Sequence, residues 1–156
     1  MTSIALARTL ALLVPTALLA GALGSEHLAG LYPCEMCHWQ RWPHYAAVPL
    51  ALLAIILRGQ GVGTLFLWLS TLAILVSGAI GVFHAGVEYG FWEGLTSCAT
   101  APGSSGDFLA DIMATPVISC DQPQWTLFGV SLAGFNAIIS IGAAMVIAWL
   151  IRKPTR

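Results

Sequence analysis

The stretch from Pro33 to Tyr45, PCEMCHWQRWPHY, sets two cysteines and a histidine in the order C-x-x-C-H. Three chemistries use that order. It is the pattern of c-type haem attachment. Two cysteines and a histidine begin a zinc site. A bare C-x-x-C also serves as a redox-active dithiol. Haem needs a second axial ligand, for which His44 and His84 are candidates, and it leaves Cys98 and Cys120 without a task. Zinc needs a fourth ligand and thiols kept from oxidation. The redox reading uses the neighbours. Arg41 follows Cys37 by four residues, so on a helix the two share a face. A cation and a helix N-terminus both favour the thiolate, the reactive form of cysteine. The plainer reading of Arg41 is a side chain snorkelling at a membrane surface.

Something must hold these groups, and composition says what kind of element it is. The chain has 156 residues, 58% hydrophobic and 8% charged, against about 25% charged in a soluble domain. That is a membrane composition in a single domain, residues 1–156. No basic patch suited to nucleic acid is present. Four apolar segments predict an all-α membrane protein, a four-helix transmembrane bundle with spans at about 9–27, 40–57, 64–84 and 125–151. The second has two solutions. Its helix either starts near Cys37, with Pro43 and Pro49 inside it, or starts at Pro43 with the C-x-x-C in a loop above. The first segment, with Arg8 before an apolar run and then AGALGS, also fits a cleavable secretory signal.

Charge placement orients the bundle. Four spans put Arg8, Arg58, Arg152, Lys153 and Arg156 on one side and Arg41 alone on the other, a five-to-one split. The positive-inside rule then makes both termini cytoplasmic and turns the two long loops outward. Those loops, 24–41 and 85–124, hold all seven acids and all four cysteines. Cysteines in even number on an oxidising face are expected to form disulfides. A Cys34–Cys37 ring encloses only two residues, so it staples poorly and suits reactivity better. Cys98 and Cys120 are 21 residues apart by intervening sequence and fit a staple on spacing alone. In the second loop, Tyr89, Phe91 and Trp92 are candidate interfacial anchors. Phe108, Leu109, Ile112 and Met113 recur at helical spacing, which predicts a short amphipathic helix on the membrane. Pro102, Gly103 and Gly106 punctuate the chain between Cys98 and that helix. Gly134, Ser140, Gly142, Ala143 and Ala144 predict close packing of helix four, and Asn136 is expected to bond a neighbouring helix.

The whole pattern resembles the disulfide bond formation protein B (DsbB) family, bacterial inner-membrane thiol:quinone oxidoreductases. The resemblance rests on PCEMCHWQR ahead of helix two, a separated cysteine pair between helices three and four, and CDQPQWTLFGVSLAGFN leading into the last helix. The vitamin K epoxide reductase-like proteins use similar parts in the reverse order. Membership implies catalytic roles for all four cysteines. Cys98 would take the mixed disulfide with a periplasmic DsbA-like partner, and Cys120 would be its disulfide mate. Cys34 would exchange with the second-loop cysteines, and Cys37 would meet the quinone (ubiquinone or menaquinone). Arg41 matches the family's quinone-site arginine, and His84 is a candidate second contact or an interfacial histidine. No metal is implied. Pro43, His38 and His44 depart from the pattern. Two other classes remain: a non-enzymatic membrane protein with two structural disulfides, and a haem electron carrier.

Overall fold

The computed structural model describes residues 2–95, 99–100 and 117–153. Four long helices dominate them. Helix α1 spans Ser3–Ala29, capped by the Thr2 hydroxyl, which accepts the Ala5 N–H. It stops at Gly30, whose φ of 66° lets its N–H turn back to the Ser25 carbonyl. Helix α2 spans Glu35–Ile56 and α3 spans Gly61–Glu88. Two short strands, β1 (Ala99–Thr100) and β2 (Val117–Ile118), pair antiparallel across the second loop. Strands β3 (Thr126–Leu127) and β4 (Val130–Ser131) form a tight hairpin ahead of α4, Leu132–Arg152.

Three of these helices, α1, α3 and α4, are long and apolar enough to cross a membrane. Helix α2 has the length, 22 residues or about 33 Å. It is less apolar because its first three turns carry Glu35, His38, Gln40, Arg41 and His44. Of the two solutions open for its start, the longer one holds, with Pro43 and Pro49 both inside the helix. Serines of α3 reach its backbone near these interruptions. Ser77 Oγ donates to the Gln40 carbonyl at 2.7 Å, and Ser70 Oγ to that of Ala47 at 2.9 Å.

The last helix starts at Leu132, later than the 125 expected. Phe128 (φ 52°) and Gly129 (φ 78°) occupy the two central positions of the β3–β4 turn. Two positive φ values in succession make the hairpin geometry and end any helix there. Ser131 then caps α4 by accepting the Gly134 N–H at 3.1 Å. The expected amphipathic helix around Phe108 to Met113 lies outside the described residues.

The helices form a ring in sequence order. Helix α1 packs on α2 and α4, α3 packs on α2 and α4, and the α1–α3 diagonal is slight. Close approach depends on small residues, but the tightest lie on α3. A Cβ on Gly78 would come within 2.8 Å of Ile141 Cγ1, and one on Gly81 within 3.0 Å of the Ala133 carbonyl oxygen. Lipid tails are as apolar as leucine, so such close backbone packing must hold the bundle together. Gly142, expected to pack, has no atom of the described residues within 4 Å of its Cβ position.

Candidate active site at the cysteine end of the bundle

Cys34 is the N-cap of α2, and its sulfur accepts the Cys37 N–H at 3.2 Å. The C-x-x-C therefore straddles a helix start, with Cys34 before the first turn and Cys37 within it. Cys34 and Cys120 are buried, and Cys37 is half-buried. Met36, Val87 and Phe83 pack around them.

The second loop is tied down over this end. Gln124 Nε2 donates to the Tyr32 carbonyl at 2.5 Å, joining the two loops directly. Tyr89 Oη donates to the Gly129 carbonyl and accepts the Ser131 N–H, both at 2.8 Å. Ser131 Oγ donates to the Glu88 carboxylate. Trp92, expected as a membrane anchor, stacks on Phe83 at 5.8 Å between ring centroids and donates to the Phe83 carbonyl at 2.9 Å. These ties bring Cys120 to Cys34. The two sulfurs and a ring nitrogen of His84 lie within 4.8 Å of one another. All three are zinc-type donors, but a closed zinc site takes four, and the cluster among the described residues has three.

Beside the cysteines is a cavity of about 210 Å³. Cys37, Arg41, His44, His84 and Asn136 line it together with apolar residues of α1 such as Leu18. Its size suits one substituted ring rather than an extended ligand, since drug-sized pockets start at roughly 300 Å³.

Arg41 lies on this wall, but its nearest polar partners are on α1. Its guanidinium donates to Glu26 Oε2 at 2.5 Å and to the Ala22 carbonyl at 3.2 Å. Glu26 and Arg41, expected in an outward loop, belong to the ends of α1 and α2. Pairing is what lets a guanidinium sit at 8% exposure, because a buried charge without a partner is costly.

His84 is buried at the end of α3. Gln40 Nε2 is 2.7 Å from its Nδ1, Cys34 Sγ is 3.5 Å from its Nε2, and Glu88 Oε1 is 3.7 Å from the same Nε2. Behind it lies a buried polar network. Asn136 Nδ2 donates to Gln40 Oε1 at 2.8 Å, and Asn136 Oδ1 faces His44 Nε2 at 3.0 Å. His44 Nε2 is also 2.9 Å from Ser77 Oγ, while its buried Nδ1 has no partner among the described residues. Asn136 thus bonds α2 and α3, as expected of it. Gln40, Ser77 and Glu26 are site residues that the sequence reading does not single out, and His44 enters it only as a candidate haem ligand. The signal was present in part: Gln40 and His44 are polar, four apart, in an otherwise apolar span. Cys98 lies outside the described residues.

In the dithiol state the bond to Cys37 and burial push the Cys34 thiol above its ordinary range. One proton is thereby kept on Cys34.

The profile of the disulfide bond formation protein DsbB family matches residues 5–150. The chain belongs to the DsbB family. Proteins named disulfide bond formation protein B share 32% identity in Polaromonas sp., over 96% of this chain and 92% of the relative. The Verminephrobacter eiseniae protein of that name shares 30%, over 96% and 88%. An uncharacterized protein of Rickettsia prowazekii shares 26%, over 87% and 81%. No solved structure gives a significant match. As a DsbB-family protein with three membrane-competent helices, the chain is a membrane protein that acts in disulfide bond formation through disulfide oxidoreductase chemistry.

Proposed function

We propose that the protein reoxidises a DsbA-like dithiol partner and passes the electrons through two disulfide pairs, Cys98–Cys120 and Cys34–Cys37, to a membrane quinone. The cysteine loops face the periplasm, both termini face the cytoplasm, and α2 is the fourth span. The observation that carries the reading is the approach of Cys34 to Cys120, within 4.8 Å, beside a ring-sized cavity lined by Cys37 and Arg41. Thiol–disulfide exchange is reversible and cannot alone make a net disulfide, so an electron sink at the membrane is required.

The residues present fit a quinone. The cavity has an apolar wall on α1 for a ring, a guanidinium for a carbonyl oxygen, and an unpaired imidazole nitrogen on His44. A quinone bound there supplies the two-electron sink. The chain supplies the rest. A thiolate of the partner attacks Cys98, the mixed disulfide forms as the Cys98–Cys120 bond breaks, and freed Cys120 attacks the sulfur of Cys34. The Cys34–Cys37 bond breaks, and its electron pair leaves on Cys37. Arg41 favours that thiolate and holds negative charge at the cavity wall, while Glu26 fixes the guanidinium. His84 forms the end of the cavity nearest Cys34.

The test is anaerobic mixing of the purified protein with a quinone and a reduced DsbA-like oxidase, following quinone absorbance. Quinone reduction that needs both proteins and disappears in Cys37→Ser is expected. Reduction persisting in Cys37→Ser, or none in wild type, overturns the proposal.

A further inference from the structure

His44 is 3% exposed and lines the cavity one turn along α2 from Arg41. Its neighbours decide which ring nitrogen carries the hydrogen. The Ser77 backbone carbonyl, 3.2 Å from Asn136 Nδ2, can only accept, which fixes the Asn136 amide with its nitrogen on that side. Asn136 Oδ1 is then the atom that faces His44 Nε2 at 3.0 Å. A carbonyl oxygen has no hydrogen to give, so Nε2 must carry one. Nothing asks Nε2 for a second. The Ser77 hydroxyl, 2.9 Å away, gives its own hydrogen to the Gln40 carbonyl at 2.7 Å and accepts from Asn136 Nδ2 at 3.1 Å. The Ser140 hydroxyl gives its hydrogen to Asn136 Oδ1 at 3.1 Å. The ring's partners are thus an amide and two hydroxyls, with no carboxylate among them. A buried charge without a counter-charge is costly, so the ring is neutral. A neutral ring with its hydrogen on Nε2 has a bare lone pair on Nδ1. That Nδ1 is buried and has no partner among the described residues.

The cavity wall on α2 therefore carries two opposite groups. Arg41 is a donor only, and His44 Nδ1 is an acceptor only. An oxidised quinone presents carbonyl oxygens, which only accept, so it can satisfy Arg41 and not His44. The reduced ring presents hydroxyls, which also donate. We propose that His44 recognises the quinol: its Nδ1 accepts an O–H that forms when the ring is reduced, and so favours the reduced form in this cavity. The proposal rests on the quinone reading of the proposed function and adds which redox form His44 holds. The reaction balances. Cys34 and Cys37 give up two electrons and two protons as their S–S bond forms, and the two ring carbonyls become two hydroxyls. One hydroxyl hydrogen meets Nδ1, where an unpaired buried acceptor is costly. A site that holds the reduced ring better than the oxidised one makes the bound ring a stronger oxidant of the dithiol. Joining α2 to α3 and α4 takes only Nε2, so a merely structural His44 has no use for Nδ1.

The experiment compares the two redox forms as ligands. Decylubiquinone and decylubiquinol are titrated anaerobically into the full chain in detergent. A Cys34→Ser, Cys37→Ser background leaves no C-x-x-C dithiol to exchange electrons with them. The ratio of the two dissociation constants is compared with and without His44→Leu, which cancels the partition of each form into detergent. His44→Leu is expected to weaken quinol binding about tenfold, the scale of one hydrogen bond, and to leave quinone binding in place. By the thermodynamic cycle the midpoint potential of the bound ring then falls by about 30 mV, the tenfold equivalent for a two-electron couple. Spectra of the ¹⁵N-histidine-labelled parent decide alone if His44→Leu does not fold. His44 should read as Nε2–H without ligand. Its Nδ1 resonance should move upfield, as an accepting nitrogen does, when quinol is added but not when quinone is. An unchanged ratio in His44→Leu, an Nδ1–H tautomer in the ligand-free parent, or an Nδ1 resonance that answers both forms alike overturns the proposal. If both forms bind and only the preference is missing, the quinone reading stands and this proposal falls. If neither form binds, the quinone reading falls and takes this proposal with it.

Discussion

The two halves of the bundle bury different things. Toward the termini the interior is Ala7, Ala11, Ala47, Ala51, Ala54, Leu67, Ile74, Ala144, Ile147 and Leu150, with no ionisable group among them. Toward the cysteines it is Gln40, Arg41, His44, Ser77, His84 and Ser140, each at 8% exposure or less. The same helices α2, α3 and α4 build both halves. Alanines at Ala47, Ala51 and Ala54 of α2 occupy the inward stripe that Gln40 and His44 occupy one and two turns earlier. The difference teaches that this stripe has two duties. At one end small residues let helices approach. At the other the stripe carries donors and acceptors that need partners because a lipid-embedded interior offers no water, and His44 Nδ1 is the one on this stripe left without a partner among the described residues.

The largest expected effect is in the chemical half. Arg41→Gln removes the cation from the cavity wall and should lower the quinone-dependent rate about ten- to a hundredfold, since charge-assisted bonds are worth about 1.5–3 kcal/mol. Arg41→Lys keeps charge without the planar fork and should recover part. The structure sharpens this with Glu26, which holds the guanidinium at 2.5 Å. Glu26→Gln should also slow the rate, but less, by letting Arg41 drift. Steady-state quinone reduction checks all three, and equal rates for wild type and Arg41→Gln would make Arg41 a structural anchor.

The mirror experiment is in the packing half. Ile147 is fully buried, and Ile147→Ala opens a cavity worth about 2 kcal/mol or more. Thermal unfolding in detergent should show the loss, while the quinone KM stays put. A shifted KM would mean the two halves are not separate.

This division was only partly legible in the sequence. The helices were, because apolar runs near 20 residues admit few alternatives. The spacing of Cys34, Cys37 and Arg41 was legible as well, since three positions on one helix start need no tertiary information. Partners across helices were not. Glu26 and Arg41 are 15 residues apart on different helices, and their meeting depends on how far α1 extends before Gly30 turns the chain. The link from His84 to Cys34 spans 50 residues. The β3–β4 hairpin was missed because Trp125 to Phe135 reads as the apolar start of a helix. Its cue was Gly129, and its other positive-φ residue is Phe128, an unusual choice there.

The smallest effect is a pH dependence at the seam between sequence signal and structure. An ordinary cysteine titrates near about 8.5. In the dithiol, bonding to Cys37 and then burial raise Cys34 above its usual range. The sign follows: Cys34 is a thiol at neutral pH and becomes thiolate only as pH climbs past that of a free cysteine. Alkylation of Cys34 in the reduced protein should therefore lag behind that of a free thiol at neutral pH and catch up only in alkaline buffer. Cys37→Ser removes the sulfur that shares the proton but leaves the backbone N–H that Cys34 accepts at 3.2 Å. Its Cys34 curve should move to lower pH. Mass-resolved alkylation of each cysteine across a pH series measures both curves. If Cys34 in the intact dithiol is alkylated at neutral pH as fast as a free thiol, the proton is not kept on Cys34, and the assignment of Cys37 as the thiolate facing the cavity falls with it.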